Sequence, residues 1–250
     1  MPYDPLKLAE NVERIVVHED LRKYYRTARP GRWYGGIATA DCCGCCLKCV
    51  FCWSGKPRDN PEKIGRFYSA KQIFDRLDSC ARRFGYRQLR VSGNEPTIGV
   101  EHLLKLLELV EGSNYRFILE SNGILIDREY ARRLSKFKCI HVRISIKGTN
   151  REEFTLLTGS EPFGFDLQLN SLRKLLDAGV PCHPAVMLSF SHKSSLETLK
   201  KQLKEIDTGL ERDIEEEYVF LYPHVVERLN KAGVKPFKSY SPNEIPEELI

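Results

Sequence analysis

Long apolar runs are missing from this chain of 250 residues. No stretch reaches the eighteen or so apolar residues that a membrane span requires, so no membrane embedding is expected. The start, Met1-Pro2-Tyr3-Asp4, has no signal-peptide core, which argues against export. No internal repeat or low-complexity tract stands out. The six histidines are scattered and none stands in H-x3-H spacing, so each reads as a surface or core residue rather than a metal ligand. The formal charge of +5 is modest. Outside one short segment only Cys80, Cys139 and Cys182 remain. They read as small buried side chains, and the C-terminal half offers no quartet for a second metal cluster.

What the chain does have is crowded cysteine. Of nine cysteines, six lie between Cys42 and Cys52. In a chain with no export signal such crowding points to metal or redox chemistry, not to a disulfide framework, and places the protein in a reducing cytoplasm. Cys45, Cys49 and Cys52 stand in C-x3-C-x2-C spacing, with Phe51 directly before the last cysteine. Three thiolates on so short a loop can hold three irons of a cubane, leaving the fourth open to a small molecule. A second register exists. Cys43, Cys46, Cys49 and Cys52 form C-x2-C-x2-C-x2-C, which could close a cluster with four protein thiols and make the protein an iron–sulfur electron carrier or a structural iron–sulfur protein.

Around this loop the sequence alternates short β-branched runs with longer amphipathic ones. Strands are predicted at Gly35–Asp41, Gln88–Ser92, Arg116–Glu120, Ile140–Ile146, His183–Phe190 and Glu217–Tyr222. Helices are predicted at Ser69–Gly85, Val100–Glu111, Asp127–Phe137, Phe165–Ala178, Ser195–Ile206 and Val225–Ala232. Ser69 is a plausible N-cap and Gly85 a plausible stop. Six β-α units in a row give an α/β fold with a parallel sheet and outer helices. Right-handed crossovers curl the sheet, and six units fall short of the eight that close a barrel. A partial (β/α)6 parallel barrel is expected over 35–234, with an N-terminal extension at 1–34 and a loosely attached tail at 235–250. Chemistry belongs at the strand C-terminal ends, where the cysteine loop falls.

The stretch Leu21 to Tyr34 interleaves Arg22, Lys23, Arg26, Arg29 and Arg32 with Tyr24, Tyr25, Trp33 and Tyr34. Basic residues with aromatics can hold nucleic acid through phosphates and stacking. The favoured reading is a helix with packed aromatics and solvated arginines.

The run Gly44-Cys45-Cys46-Leu47-Lys48-Cys49-Val50-Phe51-Cys52 resembles the signature of radical S-adenosylmethionine (radical SAM) enzymes. Ser92-Gly93-Asn94-Glu95-Pro96-Thr97 resembles the Gly-Gly-Glu-Pro segment of that family, with Asn94 in place of the second glycine. Asn tolerates left-handed backbone, which would preserve the turn. Ser121-Asn122-Gly123 resembles the Thr-Asn-Gly at the third strand end, and Ser145-Ile146-Lys147-Gly148 sits where members carry polar groups.

The resemblance implies that Cys45, Cys49 and Cys52 bind a 4Fe-4S cluster whose open iron chelates S-adenosyl-L-methionine. One electron then releases a 5′-deoxyadenosyl radical that takes hydrogen from a substrate. By the same resemblance Phe51 packs on adenine. Glu95, with the backbone of Gly93 and Asn94, meets the amino group. Lys147 pairs with the carboxylate, and Asn122 and Ser145 reach the ribose. A low-potential donor such as flavodoxin or ferredoxin is implied. Compact size and Leu157-Thr158-Gly159 resemble activases that install a glycyl radical on a partner protein; a small-molecule or peptide substrate and RNA modification are the alternatives.

Overall fold

The computed structural model describes residues 1–247; the last three residues of the expected tail lie outside the described residues. Helix α1 (Pro5–Val16), capped by Asp4, leads into strand β1 (Val17–His18) and the long strand β2 (Leu21–Gly31). A single 3-10 turn at Trp33–Gly35 precedes β3 (Ile37–Cys42), helix α2 (Gly55–Asp59) and β4 (Arg66–Tyr68). Helix α3 (Ala70–Phe84) follows the expected signals: Ser69 and Gln72 form a reciprocal capping box, and Gly85 stops the helix in a left-handed conformation. Then come β5 (Gln88–Ser92), α4 (Val100–Glu111), β6 (Arg116–Ser121), α5 (Arg128–Leu134) and β7 (Ile140–Ile146). The remainder is α6 (Arg151–Thr158), α7 (Phe163–Asp177), β8 (Cys182–Met187), α8 (Lys193–Ile206), α9 (Thr208–Arg212), β9 (Glu215–Glu217), β10 (Val219–Phe220), α10 (Pro223–Ala232) and β11 (Ser239–Tyr240).

Strands β3, β5, β6, β7, β8 and β9 pair in that order and all in parallel. This is the expected open barrel of six β-α units. Alternation along each strand divides the fold. Ile140, Val142, Ile144 and Ile146 of β7, with Leu89, Val91, Phe117 and Leu119, join one buried apolar cluster that includes residues of the outer helices. The opposite faces carry Arg90, Ser92, Glu120, Arg143 and Ser145, all lining the interior cavity.

Two expectations shift at the C-terminal side. The strand expected at Glu217–Tyr222 is split. Glu215–Glu217 supplies the sixth parallel strand, whereas Val219–Phe220 leaves the barrel and pairs with Ser239–Tyr240. Within the segment expected as a tail, Ser239–Tyr240 is held by this pairing, and the Phe237 amide donates to the Ser189 carbonyl at 2.7 Å.

The helix expected at Leu21–Tyr34 is also corrected. It is β2, antiparallel to β1 and β3 along one edge and to β4 along the other. Its charges are not all solvated. Arg22 is 1% exposed and donates to the carbonyls of Ile98 (2.8 Å), Cys43 (2.6 Å), Lys23 (3.2 Å), Glu95 (3.3 Å) and Val16 (3.4 Å). Lys23, also buried, donates to Pro61 and Glu62 carbonyls at 2.6 and 2.9 Å. Loop carbonyls replace water around these cations, and the β2 segment thereby braces the cysteine loop.

His102 of α4 joins the same region. It lies 3.0 Å from the Asp20 carbonyl through Nδ1 and 3.1 Å from the Tyr24 hydroxyl through Nε2. The carbonyl can only accept, so Nδ1 carries the proton and Nε2 accepts from Tyr24. Burial, which outweighs the Asp20 carbonyl bond, pushes this imidazole down from 6.5 to about 4. The folded chain therefore binds fewer protons than the unfolded chain between those values. Stability is full above the unfolded value and falls as pH drops towards the folded one. From about pH 7 to about pH 5 the His102 contribution should fall by roughly 2 kcal/mol. Urea midpoints at both pH values should show His102→Gln losing that much less than the parent. Equal losses in parent and variant would remove His102 as the cause.

Candidate functional site

The cysteine loop leaves the C-terminal end of β3 and runs along the mouth of the barrel. Cys45, Cys49, Phe51 and Cys52 line an interior cavity of about 510 Å³. Gly93, Asn94 and Glu95 after β5, Asn122 after β6, and Ser145 and Lys147 at the end of β7 line the same cavity. The fold thus brings every candidate site residue to one place. Cys42, Cys43 and Cys46 are fully buried and do not line it. The Cys42 thiol lies 3.3 Å from the Ser92 carbonyl, the Cys43 thiol 3.4 Å from the Ile64 carbonyl, and Cys46 packs on Asn122. All nine cysteines are free thiols.

Burial pushes the Cys49 thiol up to about 12, although Lys147 and Arg58 pull the other way. Cys52 is raised by burial as well, and Cys45 is held high by its hydrogen bond to Cys46 and by burial. Three thiols in such a place become ligands only when iron or another cation stands against them. Among the described residues no three His, Cys, Asp or Glu side chains converge to hold a single metal ion. A polynuclear cluster places each thiolate on its own iron, so thiols spread around one cavity fit it and soft sulfur suits it.

The loop after β5 depends on glycine at position 93. Its φ is +96°, and a Cβ there would stand 2.8 Å from the Asp41 Cβ. Asn94 does not adopt the left-handed backbone expected of it; the left-handed residue is Gly93. Asn94 is used through its side chain instead, donating to the Cys42 carbonyl at 3.2 Å and the Ser54 hydroxyl at 3.1 Å.

Glu95 is 1% exposed. One carboxylate oxygen accepts from the Thr97 amide (3.1 Å), the Thr97 hydroxyl (2.7 Å) and the Ser121 hydroxyl (2.8 Å). The other accepts from the Asn122 amide at 2.8 Å. The carboxylate therefore locks the β5 loop to the β6 loop. Asn122 in turn points its amide nitrogen at sulfur, 3.2 Å from Cys46 and 3.6 Å from Cys45.

Sequence reasoning missed the wall below these loops. Arg143 makes ion pairs with Glu215 (2.6 Å) and Glu217 (2.9 Å), and Arg90 with Glu120 (2.7 Å). Lys147 stands 3.6 Å from Glu217 and 5.9 Å from the Phe51 ring centre, and Phe51 packs on Phe190. Arg143 also donates to Ser145 at 2.9 Å. Two histidines read as unrelated meet across β7 and β8: His141 Nε2 lies 2.7 Å from His183 Nδ1, and His183 Nε2 lies 2.9 Å from Glu215. Burial works to raise the Glu215 carboxyl, but the His183 and Arg143 bonds outweigh it and hold the group well below the usual range. The sequence signal was the polar alternation of Gln88, Arg90 and Ser92 and of His141, Arg143 and Ser145 in strands that otherwise read as buried.

The radical SAM superfamily model matches residues 41–203, more than half of the chain. The chain belongs to the radical SAM superfamily. It is 27% identical over 135 residues to the mycofactocin maturase MftC of Mycobacterium ulcerans, covering 54% of this chain and 34% of that protein. It is 29% identical over 138 residues to the Fe-coproporphyrin III synthase of Methanosarcina barkeri, covering 54% and 32%. The chain thus spans about a third of the length of these curated relatives. Among solved structures, anSMEcpe with bound AdoMet superposes with a TM-score of 0.56 at 22% identity, covering 71% of this chain and 50% of that one. SuiB of Streptococcus suis bound to the precursor peptide SuiA gives 0.54 at 21%, covering 65% and 35%. These structures share the partial barrel. The cofactors are those of the superfamily, a 4Fe-4S cluster and S-adenosylmethionine. No helix among the described residues is long and apolar enough to cross a membrane.

Proposed function

We propose that this chain cleaves S-adenosylmethionine reductively and directs the resulting 5′-deoxyadenosyl radical at a peptide or protein substrate. The observation that carries the reading is the gathering of Cys45, Cys49 and Cys52 on one cavity with the loops that follow β5, β6 and β7. When bound, the cluster and the sulfonium compound supply the one-electron bond cleavage. The protein supplies position. Cys45, Cys49 and Cys52 hold the cluster. The backbone at Gly93 and Asn94 faces the amino group, and the Glu95 carboxylate fixes that backbone. Lys147, close to the Phe51 ring, meets the carboxylate, and Phe51 meets the adenine. Ser145 and Asn122 serve the ribose side, Asn122 also donating to the Cys45 sulfur. In this reading 35–234 is the catalytic barrel, residues 1–34 brace its first strand, and the described residues from 235 to 247 attach through the pairing of Ser239–Tyr240 with Val219–Phe220.

The peptide preference draws on relatives named as a maturase and on a structure named for its bound precursor peptide. The cavity wall agrees with it, because its charges are largely paired with each other and so present fixed dipoles to a polar substrate. An activase that places a glycyl radical on a partner is the narrower form of the same reading. RNA modification is disfavoured, since Arg22 and Lys23 of the basic stretch are enclosed by carbonyls. Flavodoxin or ferredoxin in a reducing cytoplasm is the proposed electron source. Anaerobic reconstitution with iron and sulfide, followed by chromatography, should yield 5′-deoxyadenosine only when reductant and S-adenosylmethionine are both present. Candidate peptides should accelerate its release. No nucleoside from a chain carrying four irons would sink the reading.

A further inference from the structure

The backbone of the cysteine loop is gripped by side chains of α2 and α10. Arg228 of α10 donates from Nε to the Val50 carbonyl at 3.1 Å, and from Nη2 to the Cys52 carbonyl. One helical turn earlier, His224 Nε2 lies 2.8 Å from the Trp53 carbonyl. Arg58 of α2 donates to the Cys49 carbonyl at 2.5 Å. The carbonyls of two expected cluster ligands, and of the residue following each, thus face groups on just two helices. Gly55 makes this approach possible, because a methyl group there would run into the Arg228 guanidinium.

The electrostatics of the grip are unusual. Arg58 is paired with Asp59 through two contacts of 2.8 Å, but Arg228 has no carboxylate partner among the described residues. The two guanidiniums serve adjacent carbonyls, Arg58 that of Cys49 and Arg228 that of Val50, so two cations stand on one short segment. Two neighbouring cations, one without a counter-ion, are costly in a half-buried place. A net negative group held by Cys49 and Cys52 offsets that cost. A cluster on three thiolates is such a group, and reduction adds a further negative charge to it.

Resting on the cluster reading above, we infer that Arg228, with Arg58, is a positioning residue that raises the reduction potential of the cluster and brings it within reach of the electron donor. The donor gives one electron and the cluster takes it; the arginines change only the energy of the charge gained. Neutralising Arg228 should cut the reduced-to-oxidised ratio at fixed reductant potential about tenfold, which for one electron is a shift of about 59 mV to more negative values.

The test is a redox titration of the anaerobically reconstituted full chain, followed by electron paramagnetic resonance, for the parent, Arg228→Gln and Arg228→Lys, with iron and sulfide assayed in each. Full iron in all three, a tenfold loss of reduced cluster in Arg228→Gln and little loss in Arg228→Lys is the expected result. Iron lost from Arg228→Gln but retained at the parent potential in Arg228→Lys also supports the charge. An unchanged or more positive potential in iron-replete Arg228→Gln overturns the inference. So does equal iron loss in both variants, which would mark a purely structural grip. A parent that takes up no four-iron cluster would instead defeat the underlying site assignment, and is recognised before any variant is compared.

Discussion

Cys45→Ala is expected to leave the reconstituted chain without a full cluster and with cleavage of S-adenosylmethionine at background, and Cys49→Ala and Cys52→Ala should match it. Cys43→Ala should retain both. The difference follows from where the thiols stand. Cys45, Cys49 and Cys52 line the cavity, whereas Cys43 is wholly enclosed, its sulfur against the Ile64 carbonyl and under Gly65. Truncating Cys43 removes one buried atom, at a cost of roughly 1 kcal/mol. Removing a cavity thiol takes away a ligand that nothing nearby replaces, because Cys46 spends its contacts on Asn122. Iron content and 5′-deoxyadenosine from the four alanine variants decide the matter. Loss in Cys43→Ala with retention in Cys45→Ala would establish the four-thiol register and end the radical assignment.

The second large effect belongs to Glu95. Glu95→Ala should destabilise the chain by roughly 3–5 kcal/mol and abolish measurable binding of S-adenosylmethionine. Its carboxylate is the acceptor for two backbone amides and two hydroxyls. Each buried donor left without an acceptor costs about 1–3 kcal/mol. The β5 and β6 loops would also lose their common anchor beside the cluster. Glu95→Gln should do less damage. An amide can keep its oxygen towards Thr97 and Ser121 but then sets an N–H against the Asn122 N–H, at about 1–3 kcal/mol. Urea midpoints and equilibrium binding of S-adenosylmethionine to reconstituted protein give both readouts. Parent-like values for Glu95→Ala would show that the carboxylate is dispensable.

Local signals carried most of the barrel. The Ser69 box, the Gly85 stop and the apolar alternation of Ile140–Ile146 act within a few residues, so strands β5 and β7 and helix α4 fall at their expected bounds. The motif loops fell in place for the same reason: each sits at a strand end whose position is fixed by the strand before it. What escaped depends on partners distant in sequence. Arg22 reads as a solvated charge until the carbonyls of Cys43, Glu95 and Ile98 surround it. The sixth strand was expected to begin at Glu217 but ends there, because Arg143 and His183 receive the charges of Glu215 and Glu217. His141 and His183 are 42 positions apart and meet only through the register of β7 and β8. The Asn94 side chain was invisible as a donor because its recipients, the Cys42 carbonyl and Ser54, belong to another loop.

The grip of α10 on the Val50–Trp53 segment has a consequence for biogenesis. Its hydrogen bonds join positions 171 to 178 apart along the chain. While a ribosome has yet to release residue 228, the thiols can already be exposed to iron donors, but of the four carbonyls held by side chains only that of Cys49 has its partner, Arg58. Orderly metallation must therefore trail synthesis of nearly the whole barrel, and a nascent polypeptide stalled short of α10 would be prone to mismetallation or oxidation.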